Sequence, residues 1–276
     1  MPAQQHPIQI EDFVKFAGIA GDIAKTHFTH FGMLRSVKGD RTPVTEADLA
    51  INRKFIEFVR EIAPNIDIIG EEESSRTESP WCAITDPIDG TFPYTWGSPV
   101  FTNMFALMHE GKSVMGVIHD PVMNRTFQAS RGQGATMNGH ILQVSKQDVS
   151  DRPTIGYASW SGGGNKTHFN GKPVEMQKAA YFLEQNGIST INFCSIGYLE
   201  AAVASGELAG VFFPGVAIHD TVPGDIIVRE AGGRVTDLFG NEHNYRSGGI
   251  NGHVMSNGII HDLLLEAVRY AIHSTD

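Results

Sequence analysis

The spacing of the apolar residues changes near residue 150, and this change most constrains the fold. Before it, two helical repeats (12–31 and 45–62) are followed by short apolar segments that predict strands. These predicted strands cover 66–69, 81–85, 100–108, 113–119 and 125–129, before a glycine-rich connection at 131–145. After it, predicted strands (155–158, 191–193, 211–213, 234–236) alternate with predicted helices (174–185, 198–205, 220–231, 259–272). The pattern predicts a sandwich of helix and sheet layers with two halves, residues 1–150 and 151–276.

The composition argues against several classes of protein. Acids outnumber bases 31 to 21, for a net charge of −10. This charge argues against nucleic acid as a partner, because such a partner needs a basic surface. A phosphate-bearing substrate stays open, since a bound divalent cation can reverse the local field. The two cysteines, Cys82 and Cys194, lie in apolar segments and form neither a disulfide framework nor a zinc cluster. No signal peptide and no membrane-spanning apolar run is visible, so we expect a cytoplasmic protein with no membrane partner.

Four acidic residues occupy positions that are typical of a ligand site. Glu71 and Asp86 each follow the end of a predicted strand, and Asp89 comes three residues later across Pro87. Asp220 is a further acid flanked by apolar residues. Open α/β sheets place ligands at strand ends, and magnesium in proteins is held by a few carboxylates with water and substrate phosphate. Each acid alone is consistent with a turn or a solvated surface, so only the set favours a metal site.

Three motifs give these acids a family context. They are GEEES at 70–74, DPIDGT at 86–91, and HDTVPG at 219–224 followed by IIVREAGG at 226–233. In order and spacing, over roughly residues 10–270, they resemble the inositol monophosphatase family of magnesium-dependent, lithium-sensitive phosphatases. The resemblance implies an αβαβα layered sandwich of the α+β or α/β class and a homodimer. It also implies that residues 1–150 carry most of the metal ligands and that 151–276 supply Asp220 and the wall of the substrate site.

The resemblance also implies roles for individual residues. Two or three Mg²⁺ ions would be held by Glu71, Asp86, the backbone carbonyl of Ile88, Asp89 and Asp220, with Asp86 shared between two ions. Glu71, Thr91 and Asp48 would be catalytic, the last two by orienting and helping to deprotonate the attacking water. The N–H groups of Gly90 and Thr91 would bind the phosphate. A helix cap for Asp48 and a turn hydroxyl for Thr91 are the alternatives from the residues alone.

The chain departs from the family pattern around the expected substrate. His219 stands where the family usually has Trp, and Phe213 stands, on a gap-free count, where inositol-hydrolysing members carry a glutamate. Tyr198 lies in a segment that replaces their Gly-Thr-Ala stretch. We therefore expect Phe213, Tyr198 and His219 to form the wall of the substrate site, with a packing role as the alternative for His219.

These observations predict a phosphomonoesterase for a small phosphorylated alcohol, similar or related to an inositol phosphate. A histidinol-phosphate phosphatase is the leading alternative, because the segment 92–107 resembles that branch in spacing. Hydrolysis of a bisphosphate nucleotide or of fructose bisphosphate stays open. A non-catalytic regulatory binding protein on the same fold is the alternative from another class.

Overall fold

The computed structural model describes residues 6–28, 36–37, 43–158, 168–169, 172–215, 217–246 and 250–273. The helices within them are α1 (Ile10–His27), α2 (Glu46–Ile62), α3 (Thr91–Thr95), α4 (Met176–Gln185), α5 (Ile196–Ala204), α6 (Val222–Glu230) and α7 (His261–His273). The first nine strands are β1 (Ser36–Val37), β2 (Pro43–Val44), β3 (Asp67–Gly70), β4 (Trp81–Asp89), β5 (Thr102–His109), β6 (Lys112–Asp120), β7 (Arg125–Ser130), β8 (Ala135–Met137) and β9 (His140–Ile141). The other strands are β10 (Thr154–Tyr157), β11 (His168–Phe169), β12 (Lys172–Pro173), β13 (Ser189–Ile191), β14 (Gly210–Phe213), β15 (Arg234–Thr236) and β16 (His253–Ser256).

A seven-stranded sheet takes up most of the first half of the chain. Its strands follow the chain in the order β3-β4-β5-β6-β7-β8-β9, with β3 parallel to β4 and each later pair antiparallel. Helices α1 and α2 pack against it through an aromatic cluster in which the Phe16 ring lies 5.3 Å from that of Phe55 and 5.2 Å from that of Phe105, centroid to centroid. This cluster holds α2, and with it Asp48, close to the central strands.

A five-stranded sheet follows in the second half, in the order β13-β10-β14-β16-β15. Strand β10 runs parallel to β13 and β14, so the connections between them cross over through α4 and α5. Helices α4 and α7 pack together on its outer side, while α5 and α6 lie between the two sheets. Gly116 on β6 allows α6 to approach closely, because a Cβ at this position would lie 2.4 Å from the Pro223 carbonyl oxygen. The layers are thus helix, sheet, helix, sheet, helix, which confirms the predicted αβαβα sandwich.

Several element boundaries differ from those that the sequence predicts. Strand β4 continues through 86–89, which was expected to be a turn, because these residues still pair with β5. Helix α6 begins at Val222, so Asp220 lies in the turn before it. The helix predicted over 12–31 ends at His27, and residues 29–31 lie outside the described residues.

Four strand regions were missed, namely the short pairs β1–β2 and β11–β12, the hairpin β8–β9, and β16. The connection at 131–145 contains β8 and β9, joined by Asn138 and Gly139 with φ of 49° and 84°. An Asn-Gly pair at positive φ is the preferred two-residue hairpin turn, so a usable signal was present. Strand β16 lies between β14 and β15, but its four residues, HVMS, carry no alternating pattern that would have predicted a strand.

Candidate active site

The parallel pairing of β3 with β4 places the first two acids side by side. Gly70 and Thr85 are the last register partners of β3 and β4, so Glu71 and Asp86 both follow directly after this pair. The Glu71 N–H donates to the Thr85 carbonyl oxygen at 3.2 Å, which extends the ladder to this point. Two strands of different sequence thus deliver one carboxylate each to the same edge of the sheet.

A β-bulge brings Asp89 to the same side of β4 as Asp86. Residues three apart on a regular strand point to opposite faces. Asp86 pairs with Met104 and Asp89 pairs with Thr102, so three steps on β4 match two steps on β5 and one residue of β4 is extra. The extra residue restores the parity, and both carboxylates face the same region.

The N-terminus of α5 holds the Asp89 carboxylate. Oδ1 accepts from the Ile196 N–H at 2.8 Å, while Oδ2 accepts from the Gly197 N–H at 2.9 Å, from Thr102 Oγ1 at 3.1 Å and from Ser195 Oγ. Gly197 permits this approach, since a Cβ there would lie 2.5 Å from Thr102 Oγ1. Burial raises the pKa of Asp89, and these hydrogen bonds act against that rise. Sequence reasoning missed Ser195, although a serine directly before an apolar helical segment is a helix-cap signal.

Asp86 lies in a very different environment. Its side chain is 3% exposed, and Oδ1 has no hydrogen-bond partner. Burial raises its pKa well above the usual value, and the negative charges of Glu71, Asp89, Asp220 and Asp48 raise it further, in that order. Asp86 is the centre of the site, because it is close enough to interact with all four of these carboxylates.

Asp48 joins the cluster from the first turn of α2. It forms a capping box with Thr45, in which the Thr45 N–H donates to Asp48 Oδ2 at 2.8 Å and the Asp48 N–H donates to Thr45 Oγ1 at 3.4 Å. The other oxygen, Oδ1, is buried without a partner, so the cap uses only half of the carboxylate. Burial raises the pKa of Asp48 to about 7, opposed by the bonds from Thr45 and assisted by Glu71 and Glu72. Oxygens of Asp48, Glu71 and Glu72 lie within 4.8 Å of one another.

Asn52, one turn after Asp48 on α2, fastens the glutamate turn to the helix. Its Nδ2 donates to the Glu73 carbonyl oxygen at 3.1 Å, and its Oδ1 accepts from the Glu72 N–H at 3.3 Å. Gly70 leaves room for this contact, because a Cβ there would lie 2.1 Å from Asn52 Oδ1. Sequence reasoning missed Asn52. Its signal was a polar residue at a core-facing position of an amphipathic helix.

The segment after Asp89 turns into the short helix α3. Gly90 precedes the helix with φ 86°, a left-handed conformation that favours glycine. Thr91 is the first helical residue, and its Oγ1 donates to the Ile88 carbonyl oxygen at 3.1 Å. The Ile88 side chain is fully buried, so its backbone carbonyl is the group that remains for polar contacts. Burial raises the pKa of Tyr94 on α3, and the negative charge of Asp48 raises it further.

Asp220 comes to the cluster from the second half of the chain. It lies half-buried in the turn before α6, and its charge contributes to the raised pKa of Asp86. His219 is next to it, with Nε2 3.5 Å from Asp220 Oδ1. The charges of Glu71, Asp89, Asp220 and Asp48 therefore all act on Asp86, while the roles expected for these residues stay predictions.

The residues expected at the substrate wall differ in how much of their surface a substrate could reach. Phe213 is fully buried in the core of β14, with its ring 4.7 Å from that of His253, so it offers no surface to a substrate. The expectation that Phe213 forms part of the substrate wall is therefore wrong for the structure described. Tyr198 is half-buried in the first turn of α5, with the Arg125 guanidinium 5.2 Å from its ring centroid and the Phe193 ring at 5.6 Å.

The cluster fits hard divalent cations. Its side-chain donors are all carboxylate oxygens, the ligands that Mg²⁺ prefers, and the Ile88 carbonyl adds another oxygen. The buried oxygens Asp86 Oδ1 and Asp48 Oδ1 have no hydrogen-bond partner. Buried charges that lack hydrogen bonds are stable in proteins when they are paired or coordinate metal, so these two atoms are open ligand positions.

Comparison with known proteins supplies a family for this arrangement. A profile of the inositol monophosphatase family matches residues 8–273. A fructose-1,6-bisphosphatase/inositol-1-monophosphatase of Thermotoga maritima is 30% identical, over 94% of this chain and 95% of its own. The Nus factor SuhB of Pasteurella multocida is 32% identical over 86% and 87%, and a histidinol-phosphatase of Mycobacterium tuberculosis is 30% identical over 89% and 92%.

The fold comparison agrees with the sequence comparison. The solved structure of a Thermotoga maritima IMPase superposes with a TM-score of 0.85 and 26% identity, covering 96% of this chain and 98% of that one. Among the residues that the structure describes, no helix is long and apolar enough to cross a membrane.

Proposed function

The chain belongs to the inositol monophosphatase family and is a phosphoric monoester hydrolase, and from this we propose that it hydrolyses a small phosphorylated alcohol with the help of bound magnesium. The observation that carries the proposal is the convergence of four carboxylates on a fifth, Asp86, with two of the buried oxygens open. A cluster of this charge is costly without cations, so its presence favours a site built for them.

The proposed ligands follow from the cluster. Two or three Mg²⁺ ions would be held by Glu71, Asp86, the Ile88 carbonyl, Asp89 and Asp220. When bound, such ions polarise the phosphoryl oxygens and stabilise the charge on the attacking and leaving oxygens. Because Asp89 is fixed by the N-terminus of α5 and Glu71 by the end of β3, the ligands are positioned before any ion arrives.

We assign to Asp48 the role of the general base that accepts the proton of the attacking water. Its Oδ1 is open, and its pKa of about 7 is suited to a general base near neutral pH. Thr91 is held by its bond to the Ile88 carbonyl and would orient the same water through its hydroxyl oxygen. The N–H groups of Gly90 and Thr91, at the start of α3, would donate to the phosphate of the substrate.

The leaving alcohol is expected to differ from inositol. Phe213 cannot carry this expectation, because it is fully buried in β14. The expectation rests instead on Tyr198 and His219, which both depart from the family pattern. Tyr198 and His219 are left as wall residues that suit an alcohol with fewer hydroxyls. The histidinol-phosphatase relative supports an imidazole-bearing alcohol as the leading alternative.

A regulatory role is the second candidate, and the relatives named Nus factor SuhB are the specific observation in its favour. The net charge of −10 gives the chain no overall basic surface, so the proposal keeps a small phosphomonoester, rather than a nucleic acid, as the main partner. A homodimer, a cytoplasmic location and inhibition by lithium remain predictions from the resemblance.

The test is a hydrolysis screen over small phosphomonoesters that includes inositol 1-phosphate, histidinol phosphate and an aryl phosphate. Each is assayed with Mg²⁺, with excess chelator, and with Mg²⁺ plus millimolar lithium. We expect activity that requires Mg²⁺ and a kcat/KM for inositol 1-phosphate at least about tenfold below the best substrate, because a wall formed by Tyr198 and His219 offers the ring hydroxyls no carboxylate acceptor. Hydrolysis that survives exhaustive chelation contradicts the metal assignment, and inositol 1-phosphate as the best substrate contradicts the assignment of the wall.

A further inference from the structure

We propose that His253 is a positioning residue that holds the Asp220 turn in place through the hydroxyl group of Thr221. The proposal rests on the proposed function, because it assigns Asp220 to a magnesium ligand. It adds a hydrogen-bonded network behind the site, made of Thr221, His253, His243 and the Thr236 carbonyl.

The first observation is that Thr221 occupies a helix-cap position without capping the helix. It is the residue before α6 and is fully buried, yet its side chain makes no cap hydrogen bond. Threonine at this position normally accepts from an N–H group of the first turn and stabilises the helix. Here the Thr221 hydroxyl instead contacts Nε2 of His253 on β16. The side chain is therefore directed away from its own helix and toward the five-stranded sheet.

The hydrogen-bonded network continues beyond His253, and only one assignment of the ring protons is consistent with all of its contacts. His253 Nδ1 lies 3.0 Å from His243 Nε2, and His243 hydrogen-bonds the Thr236 backbone. A carbonyl only accepts, so the remaining ring nitrogen of His243 carries a proton and its Nε2 accepts from His253 Nδ1–H. The unprotonated Nε2 of His253 then accepts from the Thr221 hydroxyl. Burial lowers the pKa of both imidazoles, which keeps the neutral forms that this arrangement needs.

The hydrogen-bonded network ends at the turn that carries Asp220. The N–H groups of Thr221 and Val222 both donate to the Ile218 carbonyl oxygen, at 3.2 and 3.0 Å, so the backbone folds around Asp220. Thr221 also accepts at its own carbonyl from the Asp225 N–H at 2.8 Å, which anchors the turn to α6. Its hydroxyl anchors the same turn to β16. Outer hydrogen bonds of this kind typically change metal affinity about 10–100-fold when they are lost.

The surroundings of His253 fit a fixed support. It is fully buried, and the Phe213 ring packs 4.7 Å from it on the neighbouring strand. Phe213 thus has a place in the site after all, but behind the turn rather than against the substrate. The ring fixes the imidazole, the imidazole fixes the hydroxyl, and the hydroxyl fixes the turn.

The test measures Mg²⁺ binding directly, by isothermal titration calorimetry without substrate. Thr221→Val removes the hydroxyl at nearly constant volume, and Thr221→Ser keeps it. We expect Thr221→Val to weaken Mg²⁺ binding at least about tenfold and Thr221→Ser to stay within about threefold of the wild type. Thr221→Ala replaces Thr221→Val if the latter does not fold.

A matched control separates positioning from general stability. Ser256, also on β16, is fully buried, and its hydroxyl lies 2.8 Å from Nδ1 of His261, outside the carboxylate cluster. Ser256→Ala should lower the Tm in chelator and leave Mg²⁺ affinity unchanged. Wild-type affinity in Thr221→Val, or an equal loss in Ser256→Ala, would overturn the proposal. A wild type that binds no Mg²⁺ would overturn the proposed function and this inference together.

Discussion

Asp86 and Asp89 belong to one strand and one site, yet their carboxylates are stabilised in different ways. Asp89 accepts four hydrogen bonds, from two N–H groups and two hydroxyls. Asp86 keeps one oxygen without a partner and is surrounded by other acids. In the metal-free protein the charge of Asp86 is therefore a source of instability, whereas the oxygens of Asp89 are an acceptor that the start of α5 requires.

Asparagine at these two positions should accordingly change the stability in opposite directions. Asp86→Asn removes a repelled charge, so we expect a Tm several degrees above the wild type in chelator at pH 8. Asp89→Asn places an amide NH₂ against N–H and hydroxyl donors, so we expect a Tm several degrees below it. Both should lower turnover at least about a hundredfold, because each removes a proposed metal ligand. Thermal melts in chelator, with assays at saturating Mg²⁺, measure both effects, and a shift in the same direction for the two variants would contradict this account.

Asp48 should make the metal-free protein less stable as the pH rises. The ordinary pKa of an aspartate is 3.8, which we take for the unfolded chain, whereas the pKa of Asp48 in the folded protein is about 7. The folded state therefore binds the proton more tightly than the unfolded chain. Stability from such a group is complete below the lower pKa and is lost as the pH rises through the higher one. The difference corresponds to about 4 kcal/mol once Asp48 is ionised in both states.

The measurement is the free energy of unfolding in denaturant, in chelator, from pH 5 to pH 8. Wild-type stability should fall over this range by about 3 kcal/mol more than that of Asp48→Asn, which cannot ionise at this position, because the remainder is already lost below pH 5. Equal pH dependence of the two proteins would assign the loss to other groups.

At the scale of elements, the site depends on how the glutamate turn is attached to α2. Two side chains of α2 reach this turn. Asn52 is buried and bonds the backbone at both Glu72 and Glu73, while Arg53 forms an exposed ion pair with the Glu73 carboxylate at 3.1 Å. Exposed ion pairs contribute about 0–1 kcal/mol, whereas a buried amide that satisfies backbone groups costs more to remove.

Asn52→Ala should therefore weaken the site, and Arg53→Ala should not. We expect Asn52→Ala to lose ~1–3 kcal/mol of stability and to raise the Mg²⁺ concentration for half-maximal activity about tenfold, because Glu71 follows the detached turn. Arg53→Ala, on the next residue of the same helix, should stay within about twofold of the wild type. An equal response of the two variants would show that the turn is held by something other than Asn52.

The elements also show which parts of the site could be predicted. The sequence predicts the acids at the ends of β3 and β4 and the capping box of α2, because each is encoded within a few consecutive residues. The bulge between Asp86 and Asp89 could not be predicted, because it depends on pairing with β5, and it is what brings both carboxylates to one side. The support of Asp89 by α5 depends on a contact across 106 or more residues, which a local pattern does not contain. Phe213 was misplaced for the same reason, since only the packing of β14 against β16 assigns it to the core.

At the scale of the whole molecule, the cluster joins parts of the chain that are far apart in sequence. Asp48, Glu71, Asp86 and Asp89 come from α2 and the seven-stranded sheet, whereas Asp220 comes from the turn before α6. Helix α6 packs against β6 of that sheet, so the fold brings the acids together while their charges repel. Cations held by Glu71, Asp86, Asp89 and Asp220 would remove this repulsion and would add a link between the two sheets.

Magnesium should for this reason stabilise the whole protein, and more strongly at pH 8 than at pH 5.5. A ligand at a hundred times its Kd adds about 2.7 kcal/mol, which for a chain of this size corresponds to a rise in Tm of roughly 5–10 °C. Protons compete with the metal for Asp86 and Asp89, whose pKa values are raised in the metal-free protein, so the rise should shrink at low pH. Thermal melts with Mg²⁺ or chelator at both pH values test this, with NaCl at equal ionic strength to exclude simple screening. Asp220→Asn should lose most of the rise at pH 8, because it removes the ligand that the second half of the chain contributes. A rise that NaCl reproduces, or that is as large at pH 5.5, would mean that the carboxylates do not act together as a metal site.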